Sequence, residues 1–449
     1  MSVSTQAEPR GPKGHLLLGN GPDFGRDQLG FYAACAREYG DLVPIRLGPR
    51  RALLVYHPDA IEEILVTRNR DFVKSPGVRL LLRRLIGNGL FLAEGGFWLR
   101  QRRLVQPAFH RQRIAAYGEV MTAYTARRLS GWKEGDVFDV HAEMMTLTQI
   151  IVAKTLFDAD VSDESYAIAQ TSNVLAEEFG TRLRSVVQFI PDWVPTPANL
   201  RANRALHHLN QVVFRMVAAR RQTGEDRGDL LSVLLQAQDA DDGSQLSNEQ
   251  VRDEVMTLFM AGHETTAVTL SWSWYLLAQH PEVDAQLADE LQTVLGERPP
   301  TVADLPRLKY AEMIVNESMR LYPPAYALAR QAVNPSEIAG QSVAPGVVVI
   351  MPAWVVHRDS RWFDDGEAFR PERWAGDLVR RLPRFAYFPF GGGPRQCIGS
   401  AFATMEAVLI LATIAQRFRL ALEPGQQITP TPYITLRPEP GPRMRLTRR

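Results

Sequence analysis

Phe390-Gly391-Gly392-Gly393-Pro394-Arg395-Gln396-Cys397-Ile398-Gly399 is the stretch on which the reading of the fold turns. Three glycines and a proline lead into one of two cysteines in a chain of 449 residues, and a long helical pattern follows. Glycine permits tight turns and lets backbone approach a flat ligand closely. A thiolate at the start of a helix is stabilised by the helix dipole and by free backbone N–H groups. Arg395, two residues earlier, adds positive charge for the thiolate or for a carboxylate on a ligand. Taken alone, such a cysteine reads first as a small, inert, buried side chain.

Two further motifs precede the loop. Glu317-Ser318-Met319-Arg320 falls in a helical pattern from about Ala311 to Tyr322 that stops at Pro323-Pro324. One turn apart, its carboxylate and guanidinium share a face, which by itself is a surface pair of little value. Ala261-Gly262-His263-Glu264-Thr265-Thr266 lies inside a long apolar helix predicted from Gln250 to about Gln279, capped by Ser247 and ended by Pro281. Gly262 weakens that helix, and threonine hydroxyls can bond back to carbonyls and bend it. The composition predicts a local widening there, and His263 reads as an oriented or solvated side chain.

The rest of the chain sets limits. Hydrophobic residues make up 45% and charged residues 22%, ordinary for a globular protein. A formal net charge of +1 argues against nucleic-acid binding. Two thiols make no disulfide framework and fit a reducing cytoplasm; Cys35, in the helix-like FYAACAREYG, reads as a buried hydrophobe. The N-terminus lacks a long apolar run, and AVLILATIA (407–415) falls short of the roughly 20 residues a bilayer span needs. No membrane anchor is expected, and 407–415 is predicted to be a buried helix.

Helical periodicity dominates from about residue 98 to 330. Strand patterns cluster at 41–57, a hairpin turning at Gly48-Pro49, at 336–354, and in a terminal pair within 428–447. No Pro/Gly/Ser-rich linker divides the chain. The expected architecture is mainly α with smaller, segregated β-sheets (α+β), one large domain over residues 1–449.

The spacing Phe390, Gly393, Arg395, Cys397, with Gly399 beyond it, resembles the haem-binding loop of the cytochrome P450 family, and the ordered motifs extend the resemblance over nearly the whole chain. The resemblance implies the fold of that family, haem b (iron protoporphyrin IX) as cofactor, and Cys397 as the axial iron ligand. It makes Glu317, Arg320 and Arg373 (in Phe369-Arg-Pro-Glu-Arg373-Trp374) a buried structural network. It assigns Gly262 to the widened helix segment that admits dioxygen and water, Thr265 to hydrogen-bonding the activated dioxygen, and Glu264 to relaying protons. Trp98 and Arg102, at i and i+4, would contact a haem propionate, with Arg330, before the second strand cluster, and Arg395 as further propionate partners. Where many soluble bacterial members carry histidine this chain has Trp98, which resembles microsomal and fatty-acid-hydroxylating members.

The implied reaction is monooxygenation of a small apolar molecule: a fatty acid, terpenoid, steroid or drug-like compound. The implied pocket walls are residues near 81–91, Phe179, Leu258, Ala261, Ala325, Tyr326, Ala327, Leu328 and Ile434, and the stretch from about 160 to 205, with Phe179 and Phe189, would form a lid. Electrons would come from a separate ferredoxin or flavodoxin and its NAD(P)H reductase, since the match leaves no room for a reductase domain. Arg100, Arg102, Arg103, Arg111 and Arg113 form a basic patch that reads evenly as a docking face or a solvated helix face. A monomer in the cytoplasm is expected. Two other readings stand: a peroxide-driven haem-thiolate enzyme or isomerase, against which Glu264 and Thr265 argue, and a non-catalytic haem sensor or electron carrier, which would need an output domain or no pocket.

Overall fold

The computed structural model describes residues 10–158, 194–238 and 243–449. Among them ten helices run ten residues or more: α1 (Gln28–Tyr39), α2 (Pro76–Ile86), α3 (Gly95–Val105), α4 (Arg111–Leu129), α5 (Val140–Phe157), α6 (Pro197–Thr223), α7 (Asn248–Gln279), α8 (Pro281–Leu295), α9 (Lys309–Leu321) and α10 (Ser400–Ala415). Their ends follow local chemistry. Ser247 Oγ accepts the Gln250 amide while the Gln250 side chain accepts the Ser247 amide, a reciprocal cap that starts α7. Pro281 opens α8, and Gly224, with φ of 62°, closes α6 in the left-handed conformation. Helix α10 is apolar on every side and buried from Met405 to Ala415, as 407–415 predicts.

The chain divides into two compact units. The first comprises residues up to Arg79 and Asn316–Cys397. Its sheet has the order β1 (Leu42–Leu47), β2 (Arg50–Val55), β8 (Val348–Met351), β5 (Leu328–Ala332), β3 (Phe72–Lys74). The hairpin β1–β2 is antiparallel, β2 runs parallel to β8, and β8–β5–β3 are antiparallel. Leu54, Val55, Ile61, Ile64, Val349 and Phe388 build the core on it, and Cys35 of α1 is buried there. Burial pushes the Cys35 thiol up to about 11, so it stays neutral.

Two sequence expectations change here. The 336–354 cluster is not one set of strands: β6 (Ser336–Ile338) and β7 (Gln341–Val343) pair alone, while β8 joins the larger sheet. Arg330 lies within strand β5, opposite Lys74 and Val349, rather than before the sheet.

The second unit comprises Leu80–Val315 and Ile398–Arg449. Helix α7 packs along α5 and also touches α6 and α10. A three-stranded sheet in the order β4 (Val137–Asp139), β12 (Arg443–Arg448), β9 (Phe418–Leu422) and a hairpin, β10 (Thr429–Pro432) with β11 (Leu436–Glu439), complete it. The expected terminal pair is thus split, because β12 leaves β11 and pairs with β9 and β4. The protein is mainly helical with small separate sheets, as its sequence implies. Among the described residues no helix is long and apolar enough to cross a membrane.

Candidate active site

In the first unit backbone hydrogen bonds tie the cysteine loop together. The Gly391 amide donates to Phe388 O (2.9 Å), Gln396 to Gly393 O (3.1 Å) and Cys397 to Phe390 O (3.0 Å). Gly391 and Gly393 sit at φ of 67° and 65°, where a side chain is strained. A Cβ on Gly393 would stand 2.0 Å from Leu65 O, and one on Gly392 2.2 Å from the Phe385 ring. The glycines therefore press the loop onto its own unit. Arg395 closes a short 3-10 turn and is half-buried, as is Phe390, while Cys397 is exposed.

A buried polar network holds the base of this loop. Glu317 accepts from Arg320 Nη2 on Oε1 (2.8 Å) and from Arg320 Nε on Oε2 (2.9 Å). Arg373 Nε and the Arg370 amide reach Oε1 at 2.8 and 3.0 Å, and Trp374 Nε1 reaches Oε2 at 2.9 Å. Arg320 Nη1 donates to His357 O (2.9 Å), and His357 Nε2 accepts the Phe388 amide (3.0 Å), three residues before Gly391. Glu317, Arg320 and Arg373 thus lie together, as the motif spacing implies. Burial opposes ionisation of Glu317, but Arg320 and Arg373 outweigh it and hold its carboxyl below the usual range. Burial, then the charges of Arg320 and Arg358, push His357 down to about 3. Sequence reasoning missed His357 and Trp374. Adjacency to Arg373 could have flagged Trp374; nothing around His357 distinguishes it.

Tyr326, expected to line a pocket, is half-buried, and its hydroxyl bonds with Gln28, which also donates to the Tyr32 hydroxyl at 3.0 Å. Its ring packs with the sheet core, together with the half-buried Ala327 and Leu328. Ala325 is half-buried, and Leu328 Cδ1 lies 3.7 Å from the Cβ position of Gly391. Arg330 is buried, with Nη1 donating to Ala329 O at 3.0 Å.

In the second unit α7 carries Leu258 (buried), Ala261 (exposed) and Thr265 (half-buried) at spacings that share a face. The expected widening is absent: the helix is α from Asn248 to Gln279. Its threonines bond back instead, Thr265 Oγ1 to Ala261 O (2.8 Å) and Thr266 Oγ1 to Gly262 O (3.2 Å). The contact that accounts for Gly262 is helix packing, since a Cβ there would lie 3.3 Å from Val152 of α5. His263 is buried, and its Nδ1 meets Phe259 O at 2.7 Å.

Glu264 is also placed differently from expectation. It is buried, and its Oε1 accepts from Thr435 Oγ1 (2.7 Å) and from Arg437 Nε (2.9 Å) and Nη2 (2.6 Å). Burial opposes ionisation, but Arg437, with Thr435 and His263, holds this carboxyl below the ordinary range. Two other acids on these helices escaped the sequence reading. Glu406 of α10 lies against Thr266, wholly buried and with neither oxygen hydrogen-bonded; burial raises it to about 8. Glu254 of α7 accepts the Leu90 amide (3.1 Å) and is likewise raised by burial to about 8.

Trp98 and Arg102 are half-buried one turn apart on α3. Gly399 precedes α10, with its Cβ position 3.7 Å from the Phe109 ring. Ile434 is half-buried in the turn between β10 and β11. In the basic patch Arg100 donates to Ser244 Oγ (2.7 Å) and Arg113 to Gly228 O (3.0 Å), so part of its charge serves loop anchoring. Phe179, Phe189 and most of the expected lid lie outside the described residues. A surface cleft of about 860 Å³ lined by Trp132, Gln292, Arg417 and Arg449 contains none of these side chains.

The residues present fit a haem. No side chain projects from the loop between Phe390 and Pro394, and beyond it stands one exposed sulfur. Among the described residues no group of three or more His, Cys, Asp or Glu could hold a metal ion. A single thiolate therefore suits a metal whose other ligands arrive with a macrocycle.

Fold and loop together define a haem-binding oxidoreductase, and known proteins agree. The family model described as Cytochrome P450 matches residues 9–444. Cyclooctatin synthase of Streptomyces melanosporofaciens is 38% identical, covering 95% of this chain and 92% of that one. Cyclooctat-9-en-7-ol 5-monooxygenase of the same organism is 38% identical over 91% and 88%. Pentalenene oxygenase of Streptomyces avermitilis is 35% identical over 100% and 99%. The crystal structure of the cytochrome P450DA heme domain superposes with a TM-score of 0.89 at 27% identity, over 98% and 97%. The chain belongs to the cytochrome P450 family: it is a haem-thiolate monooxygenase that inserts one atom of dioxygen into a small apolar organic substrate.

Proposed function

We propose that Cys397 would hold the iron of haem b through its thiolate, and that Arg102, Arg330 and Arg395, with Trp98, would hold its propionates. The observation that carries this is the loop itself: the Cys397 amide is tied to Phe390 O while its side chain remains exposed. When bound, the haem supplies activation of dioxygen and oxidation of an unreactive C–H or C=C bond. The protein's own residues do the rest. Positive Arg395 and the start of α10 favour the thiolate form of Cys397. The glycines of the loop, with Phe390 and Gly399, admit the flat face. Thr265 holds a proton on Oγ1, now given to Ala261 O, and rotation about its side chain re-aims that proton toward the exposed face of α7. Leu258 and Ala261 keep this face apolar, with Ala325, Ala327, Leu328 and Ile434 as further walls.

The substrate we assign is a cyclic terpenoid hydrocarbon or alcohol. The support is that three relatives of about this chain's length are named for cyclooctatin, a cyclooctat-en-ol and pentalenene. Electrons come from a separate ferredoxin or flavodoxin and its NAD(P)H reductase, docking on the basic patch of Arg100, Arg103, Arg111 and Arg113. Cys35 and Cys397 form no disulfide, which suits the cytoplasm, and the protein works as a monomer. The family match runs through both units, so they serve as one catalytic domain.

The test is spectroscopic. Reduced protein under carbon monoxide is expected to show the red-shifted Soret band of thiolate-ligated haem, and Cys397→His to lose it. Persistence of that band in Cys397→His removes Cys397 from the iron. A screen of terpenoids against fatty acids by the low-to-high-spin shift tests the substrate class: a stronger response to fatty acids overturns it.

A further inference from the structure

The acid of the Glu264–Thr265 pair is tied to a strand, and that strand carries a residue assigned above to the pocket. Three donors converge on Glu264 Oε1: Thr435 Oγ1 at 2.7 Å, Arg437 Nε at 2.9 Å and Arg437 Nη2 at 2.6 Å. Both residues flank Leu436, whose carbonyl accepts Trp272 Nε1, two turns further along α7, at 2.8 Å. Thr435, Leu436 and Trp272 are buried, and Arg437 is nearly so. Three consecutive residues of β11 and its approach are thus bolted to one helix at two points. The bolted segment begins one residue after Ile434, in the turn that returns β10 to β11. Tyr433, on the other side of that turn, bonds Glu439 across the hairpin, so the turn moves with the strand as one piece.

We infer that Arg437 and Thr435 make Glu264 a fixed anchor for the β10–β11 hairpin, so that this acid sets the position of Ile434, and with it substrate orientation, instead of carrying protons. The inference rests on the haem-thiolate reading above. It assigns Glu264, Thr435 and Arg437 as positioning residues that determine specificity, and leaves the mobile proton to Thr265. The geometry favours it because Oε1 already accepts three hydrogen bonds, two of them from a guanidinium that has no acceptor for a proton. The other charged or titratable groups facing this site are His263, one residue back on α7, and His141 of α5, which bonds Ser271 at 3.1 Å.

Two substitutions separate anchor from relay. Glu264→Gln keeps an oxygen for Thr435 and Arg437 but has no proton to relay. Arg437→Leu removes the strongest tie and leaves the carboxyl. Thr435→Val, which removes one bond, serves where Arg437→Leu folds poorly. The anchor predicts that Arg437→Leu speeds amide hydrogen exchange in 429–439 by about an order of magnitude, with Glu264→Gln smaller. It also predicts a weaker spin-state response to the polycyclic terpene alcohol cedrol and an altered ratio of its oxidation products, in the same order of severity. Unchanged exchange and product ratio in Arg437→Leu and Thr435→Val overturn it. So does a Glu264→Gln protein with normal cedrol binding, lost coupling of reductant to product and a raised solvent isotope effect. If instead the wild-type carbon monoxide complex lacks the thiolate band, the haem-thiolate reading has failed, and the exchange measurement still reports on the anchor.

Discussion

Glu317 and Arg320 meet in a two-pronged pair, 2.8 and 2.9 Å apart, with both side chains wholly out of solvent. Removing one partner of a buried pair leaves the other charged, desolvated and unpaired, which costs about 3–5 kcal/mol. Glu317→Ala strands two guanidiniums, so it is expected at the upper end of that range by urea unfolding, with little haem retained. Arg320→Lys keeps the charge but loses the fork geometry, and is also expected to unfold early. The pH dependence has a definite sign. The Glu317 carboxyl is held below its ordinary 4.5, so its stabilisation is present above that pH and lost as pH falls through the lower folded value. A Glu317→Gln protein is expected to show a flatter stability curve below pH 4.5.

The loop glycines are predicted to fail in a ranked order. Both Gly391 and Gly393 need positive φ, which costs a side chain about 1–2 kcal/mol. A Cβ on Gly391 finds Leu328 at an ordinary 3.7 Å, whereas one on Gly393 collides with the Leu65 carbonyl at 2.0 Å. Gly391→Ala is expected to fold and bind haem less tightly. Gly393→Ala is expected to displace the loop and retain little haem. The ratio of Soret to protein absorbance checks the order, and equal haem content in the two variants contradicts it.

The sequence showed this loop clearly and its supports poorly. Loop glycines, Cys397, the capped helix over 248–279 and the Glu317–Arg320 spacing are local patterns, so they could be read directly. Interactions across the chain could not. His357 reaches Phe388 over 31 residues and Arg437 reaches Glu264 over 173, and no periodicity encodes either meeting. Gly262 misled because a glycine inside a helix suits both a bulge and a close helix crossing, and the approach of Val152 settles it.

His357 predicts acid sensitivity. It accepts the Phe388 amide as a neutral ring, and burial, with Arg320 and Arg358, lowers it to about 3 from an ordinary 6.5. Between those values the unfolded chain binds a proton that the folded chain refuses. Stability therefore rises with pH across that window at up to about 1.4 kcal/mol per unit, and the term is complete above pH 6.5. His357→Asn, which cannot take up that proton, is expected to be less stable at pH 7 but to lose less on going to pH 5. Parallel curves for the two proteins would remove His357 as the cause.

Glu406 predicts the opposite slope. Its carboxyl is wholly buried on α10 against Thr266, no hydrogen bond meets either oxygen, and burial raises it to about 8 from an ordinary 4.5. Here the folded protein keeps a proton that the unfolded chain releases. Stability is then fullest below pH 4.5 and falls as pH rises toward the folded value, by up to about 1.4 kcal/mol per unit. Glutamine has nearly the same shape and no charge, so Glu406→Gln is expected to remove this slope. The variant's advantage in urea is expected to grow from pH 6 to pH 8 and level off above it. A constant difference between Glu406→Gln and wild type from pH 6 to pH 9 means that the acid is already ionised in the folded protein.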